Sequence, residues 1–200
     1  MTAASRVVLA TANPDKAREI RDVLGAVGLA SGLVSRPDDV PDVEETGDTL
    51  EENARLKAAA LCDATGLPAI ADDTGLEVDA LGGAPGVRSA RYAGEDVTYA
   101  DNVAKLLREL DGVTSEQRGA RFVTVAIAQW PDGREVVARG EVRGTITTSP
   151  RGQSGFGYDP VFVPEEGDGR TFAEMTAREK HALSHRGRAF RALADALRDA

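Results

Sequence analysis

Val7-Val8-Leu9-Ala10-Thr11-Ala12-Asn13-Pro14-Asp15-Lys16 is a buried-strand signal that runs straight into a helix-start signal. Four apolar residues in a row, without alternation, read as a strand covered on both faces. Asn13 suits the N-cap, because its side-chain oxygen accepts from the first unpaired N–H groups of a helix. Pro14 suits the first helical position, where no N–H is needed. Ile20, Val23, Leu24 and Val27 then continue at helical spacing.

Outward from this opening the two periods keep alternating. Residues 37–47 form an acidic loop, and Thr49 with Glu52 is a capping-box pattern that starts a second helix, with Ala54, Ala58 and Leu61 on one face. Gly66 and Pro68 stop it. Pro68-Ala69-Ile70-Ala71 predicts a short strand ending at Asp72-Asp73-Thr74-Gly75, and Leu76, Val78 and Ala80 alternate in a second one. After the loop Gly82-Gly83-Ala84-Pro85-Gly86, Val103, Leu106, Leu107 and Leu110 mark another helix. Residues 122–130 and 136–147 read as longer strands joined by the hairpin signal Pro131-Asp132-Gly133. Phe190, Leu193 and Leu197 anchor a C-terminal helix. Helices interspersed with short strands and a long hairpin predict an α/β protein with a mixed sheet flanked by helices. The 200 residues suffice for a single domain, taken as 1–200.

Composition excludes several classes. The chain is 42% hydrophobic and 28% charged, as soluble globular proteins are. No apolar run approaches the ~18 residues of a membrane span. Arg6 is followed at once by the first strand, which leaves no signal-peptide core, so the expectation is a cytoplasmic protein without a membrane partner. Cys62 is the sole cysteine, which rules out an intramolecular disulfide and fits a small packing residue in an alanine-rich helix. A net charge of -9 without a basic block argues against nucleic-acid binding. A small phosphorylated ligand remains compatible, given local cations or a metal.

Six segments carry candidate chemistry. At the strand-to-helix junction, N–H groups and the helix dipole favour an anion, and Lys16 falls in the first turn, where a cation is unfavourable unless something negative faces it. The alternative is a solvated lysine on a well-capped helix. Asp72-Asp73 places adjacent carboxylates at a strand end, one able to face a site while the other braces structure; hard cations take such oxygens. An acidic turn is the competing reading, as a solvated acidic loop is for Glu44-Glu45-Thr46-Gly47. Lys57 follows Asn53 by four residues, so both occupy one helix face. Ser154-Gly155-Phe156-Gly157-Tyr158-Asp159-Pro160 combines close backbone approach with aromatics, for stacking on a base or for core packing. Lys180 and Ser184-His185-Arg186-Gly187 set donors just before a helical run.

Taken in order, these segments resemble the inosine-triphosphate pyrophosphatase family, together with Leu81-Gly82-Gly83-Ala84-Pro85-Gly86-Val87 and Ser89-Ala90-Arg91-Tyr92. The similarity spans residues 7–197. It implies a twisted mixed sheet in two lobes around a central active-site cleft, and a homodimer. The activity implied is magnesium-dependent hydrolysis of inosine, deoxyinosine and xanthosine triphosphates to monophosphate and pyrophosphate. Carried over, Thr11, Ala12, Asn13, Pro14, Asp15, Lys16 and Lys57 would bind the phosphate end of substrate. Asp73 would activate water and, with Glu44, hold Mg2+; Glu45 is an alternative to Glu44. Thr74 would touch substrate, and Phe156, Gly157, Tyr158, Asp159, Lys180, His185 and Arg186 would lie near the base. Thr74 stands where bacterial relatives commonly carry serine, which keeps the hydroxyl. The competing readings are a pyrophosphatase for modified pyrimidine or standard nucleotides, and a nucleotide sensor without hydrolysis. Paired carboxylates disfavour the sensor, since phosphate binding alone gains nothing from them.

Overall fold

The computed structural model describes residues 6–199. Its strands are β1 (Val7–Leu9), β2 (Leu33–Ser35), β3 (Ala69–Val78), β4 (Pro85–Gly86), β5 (Gly119–Gln129), β6 (Glu135–Ile146) and β7 (Phe162–Pro164). Its helices are α1 (Pro14–Ala26), α2 (Leu50–Thr65), α3 (Tyr99–Glu109), α4 (Ala177–Leu183) and α5 (His185–Asp199). Hydrogen bonding orders the strands β2-β1-β3-β5-β6-β7, with β4 paired to β3. β1 is parallel to both neighbours, Val8 lying opposite Val34 and Ala69. β4 and β7 are antiparallel to β3 and β6. The sheet is mixed, as the sequence predicts.

The local signals fold as read. Thr49 Oγ1 accepts from Glu52 N at 3.1 Å and Glu52 Oε2 accepts from Thr49 N at 3.1 Å, which closes the capping box of α2. The hairpin closes where Trp130 N donates to Arg134 O, at 2.9 Å. Three readings are corrected. β3 does not end at Asp72; it runs ten residues straight through Asp72-Asp73-Thr74-Gly75, because both carboxylates meet cations and need no turn to reach water. Ala80 belongs to a single 3-10 turn, Asp79–Leu81, and not to a strand. β2 and α4, three and seven residues long, are too short to show a period and were not expected.

The chain divides into two compact units. The first comprises the chain up to Asp73, Thr124–Gly140 and the stretch from Arg186 onward. In its core, Val7 and Leu9 of β1 and Ile70 of β3 pack with Ile20, Val23 and Leu24 of α1 and Phe190, Leu193 and Leu197 of α5. This is the apolar stripe that the helical spacing marked out. The second unit comprises Thr74–Val123 and Glu141–His185. Its core is aromatic: Phe122 meets Phe162 edge-on at 4.7 Å between centroids, and Phe162 lies 5.2 Å from Phe172. Arg118, buried, donates to the carbonyls of Leu110, Ile146 and Thr147, satisfying backbone acceptors just past the end of α3 and at the end of β6. Among the described residues no helix is long and apolar enough to cross a membrane.

Candidate active site

In the first unit, the end of β1 hands the chain to α1 through Thr11 and Asn13. Asn13 N donates to Thr11 Oγ1 at 3.2 Å, and Asn13 Oδ1 accepts from Asp15 N at 2.9 Å and Lys16 N at 3.2 Å. This corrects the expectation of unpaired N–H groups at the helix start. The cap consumes two of them and Pro14 has none, so any anion held here answers to the Lys16 side chain more than to the helix backbone. Asp15 is half-buried and pairs with Arg18 at 3.1 Å. Ala12 and Pro14 are exposed. A crevice of about 570 Å³ runs past Thr11, Ala12 and Pro14 to Arg21, Ser35 and Arg36.

β3 then supplies adjacent carboxylates, both within reach of the Lys16 ammonium. Asp72 is 1% exposed; its Oδ2 lies 3.3 Å from Arg186 Nη2 and 3.5 Å from Lys16 Nζ. Arg186 also reaches Glu19 at 2.6 Å. Asp73 Oδ1 accepts from Lys57 Nζ at 3.0 Å, and the same ammonium donates to Glu45 Oε1 at 2.8 Å. Lys16 Nζ stands 4.0 Å from Asp73 Oδ1, so it faces both carboxylates. The cation in the first turn of α1 thus has the negative partners its position demands.

Burial sets the protonation behaviour of this cluster. It pushes the Asp73 carboxyl above the ordinary carboxylate range, against the opposing pull of Lys57 and Lys16. It lowers the Lys16 ammonium, with Asp72 resisting and Lys57 adding to the shift. Burial alone would also lower Lys57, but Asp73, Asp72 and Glu45 more than offset it and hold that ammonium above its usual value.

The donor set fits a hard dication completed by ligand oxygens. Asp73 Oδ2 is buried and has no hydrogen-bond partner among the described residues, and a carboxylate oxygen so placed accepts a cation readily. Among the described residues no three of His, Cys, Asp and Glu gather to hold a metal by themselves. Glu45 and Asp73 converge on one point, the Lys57 ammonium, whereas Glu44 is exposed. Glu45 thus shares a cation with Asp73, while Glu44, one residue earlier on the same loop, is open to solvent. The sequence reading names Glu44 with Glu45 as its alternative, and a one-residue difference in an irregular loop carries no periodic signal to separate them.

The second unit holds its own cluster. Asp159, buried, accepts from Phe156 N at 2.8 Å and from Lys180 Nζ at 2.5 Å. Gly155 has φ +73°, and a Cβ there would fall 2.0 Å from Asp159 Oδ2, so only glycine fits this tight turn. The Phe156 ring is half-buried, with Lys180 Nζ 4.9 Å from its centroid and Tyr99 5.7 Å away. Tyr158 goes the other way: it is buried and donates to Ser89 O at 2.9 Å. Of the two aromatics offered for stacking, Phe156 stays half-buried and Tyr158 joins the core. His185 is buried and stacks on Phe122 at 4.4 Å. Thr74 and Gly157 are half-buried.

Of the expected site residues, Lys16, Lys57 and Asp73 come together in the first unit, and Phe156, Asp159 and Lys180 in the second. Arg186 is buried in the first unit, where it pairs with both Glu19 and Asp72. Glu19, Asp72 and Asn53 were not among the expected site residues. Glu19 shows no signal, being one polar residue in an amphipathic helix. Asn53 was visible only as the residue one turn before Lys57.

The chain matches the Ham1 family over residues 7–196. It is 50% identical over 197 residues to a dITP/XTP pyrophosphatase of Streptomyces avermitilis, covering 98% of both chains. It is 54% identical to one of Frankia alni, covering 97% of this chain and 98% of that one. Among solved structures, a HAM1 protein from Coxiella burnetii superimposes with a TM-score of 0.85 at 39% identity, covering 98% of this chain and all of the other.

Proposed function

This chain belongs to the Ham1 family, and we propose that it is a nucleoside-triphosphate pyrophosphatase that converts deaminated purine nucleotides (inosine, deoxyinosine and xanthosine triphosphates) to the monophosphate and pyrophosphate. The observation that carries the reading is the buried cluster in which Lys16 and Lys57 face Asp72, Asp73 and Glu45. The dITP/XTP pyrophosphatases of Streptomyces avermitilis and Frankia alni support the substrate class. The proposal includes the homodimer and the cytoplasmic location expected from the sequence.

The residues divide the work. Lys16 and Lys57 neutralise phosphate oxygens and hold them in place, which is most of what hydrolysis of a phosphoanhydride requires. Asp73 takes the proton of the attacking water as its oxygen bonds to the α-phosphorus; the bond to the β-phosphate oxygen breaks and pyrophosphate leaves. Arg186 and Glu19 hold Asp72, and Asp72 in turn faces Lys16. Lys180 and the Phe156 face serve the base.

Charge argues for a metal. Three cations, Lys16, Lys57 and Arg186, meet four carboxylates, Glu19, Glu45, Asp72 and Asp73. A local surplus of negative charge does not attract a tetra-anion. A magnesium ion held by Glu45 and Asp73 would reverse it and would polarise the phosphates when bound. The test is pyrophosphate release across inosine, deoxyinosine, xanthosine, adenosine, guanosine and pyrimidine triphosphates, with magnesium and with chelator. Preferential, magnesium-dependent cleavage of the first three is expected. Equal cleavage of all of them, or full activity in chelator, overturns the reading.

A further inference from the structure

Glu45 belongs to an irregular loop, yet its carboxylate is delivered to within 2.8 Å of Lys57 Nζ. That loop is tied to the first turns of α2 by its own backbone. Asp48 N donates to Glu52 Oε2 at 2.7 Å, and Gly47 N, two residues after Glu45, donates to Asn53 Oδ1 at 2.8 Å. Asn53 is fully buried, and one turn later the same helix face carries Lys57. The fit is close: a Cβ on Gly47 would lie 2.8 Å from Asn53 Oδ1 and 2.6 Å from Glu52 Cβ. Asn53 Nδ2 is buried and has no hydrogen-bond partner among the described residues. A buried asparagine that leaves a donor unsatisfied is costly, and neither packing nor helix propensity calls for one at this position.

We propose that Asn53 is a positioning residue for the reaction: by holding Gly47 N–H it fixes the acidic loop so that Glu45 meets Lys57 and Asp73. Asn53 touches no reacting atom. It acts through Glu45, and through the metal that Glu45 is proposed to hold. The inference rests on the proposed function only in its kinetic arm.

The first measurement needs no substrate. In the full-length protein, amide exchange at Gly47, followed by NMR, is slow in the wild type and speeds up at least tenfold in Asn53→Ala. Asn53→Asp keeps an oxygen for Gly47 N–H and preserves the protection. Equal Gly47 exchange in wild type and Asn53→Ala overturns the proposal, as does loss of protection in Asn53→Asp. The second measurement is a double-mutant cycle on kcat/KM. Asn53→Ala lowers kcat/KM about ten- to a hundredfold in the wild-type background, and less than about threefold when Glu45→Gln is already present. Losses that multiply show that Asn53 does not act through Glu45, and overturn the proposal. A merely structural role lowers kcat/KM by the same factor in both backgrounds. If Asn53→Ala does not fold, Gly47→Ala keeps the Asn53 side chain but drives a methyl against its Oδ1, which displaces the loop, and it carries the same cycle with the same expectation. If the wild type cleaves no triphosphate, the functional reading fails, and the exchange measurement alone decides the role of Asn53.

Discussion

Replacing Asp73 by asparagine separates the chemical role of this carboxylate from its structural one. The side chain keeps its shape, and its Oδ1 still accepts from Lys57 Nζ, now 3.0 Å away. Lys57 also retains Glu45 at 2.8 Å, so the ammonium, whose side chain is only 12% exposed, is not left without a counter-charge. The cost of orphaning a buried charge, about 3–5 kcal/mol, therefore does not apply. The substitution also removes a carboxylate that burial disfavours. Stability is expected to change by no more than about 1 kcal/mol, or roughly 2–4 °C in Tm for a chain of this size. Turnover loses its proton acceptor and should fall about 10²- to 10⁴-fold. Pyrophosphate release from inosine triphosphate gives the rate, and circular dichroism with a thermal melt gives the fold. A folded Asp73→Asn protein within tenfold of wild-type turnover refutes the assignment. A Tm drop beyond about 10 °C shows instead that Asp73 holds the unit together.

Lys16→Ala should raise KM and lower kcat together, because phosphate charge shifts in the transition state; unchanged constants would place the phosphates elsewhere. Arg186→Ala leaves Glu19 and Asp72 buried without their shared guanidinium. It should destabilise by about 3–5 kcal/mol, read as a shift of the urea midpoint, and a midpoint within error of wild type would restore Arg186 to a purely ligand-binding role. Inosine triphosphate should be cleaved roughly ten- to a hundredfold faster than adenosine triphosphate for each donor left facing the adenine amino group. Lys180→Ala should erode that ratio more than the ratio against guanosine triphosphate. Specificity constants for the three nucleotides decide it, and an unaltered inosine-to-adenosine ratio removes Lys180 from base choice.

The features legible in the sequence are those whose cause lies within a few residues. Asn13 and Pro14 announce α1, Thr49 and Glu52 close a capping box three residues apart, and Pro131-Asp132-Gly133 turns a hairpin, because caps and turns are made by near neighbours. Helical spacing likewise picked out Ile20, Val23, Leu24, Phe190, Leu193 and Leu197 as core. The ordered motifs pointed to Lys16, Lys57 and Asp73 for the same site before any geometry was known. Tertiary structure decided the rest. Asp72 finds Arg186 across 114 residues and Arg186 finds Glu19 across 167, pairings with no local signature. Those distant cations let β3 run on through two adjacent carboxylates that read locally as a turn. Folding also gives Arg186 two buried partners, Glu19 and Asp72, that no local pattern announces. The contacts of the acidic loop with α2, Gly47 N to Asn53 Oδ1 and Lys57 Nζ to Glu45, likewise appear only in the folded chain. A chain's periodicity tells which face a residue takes, but a buried charge is settled only by the partners that folding brings to it.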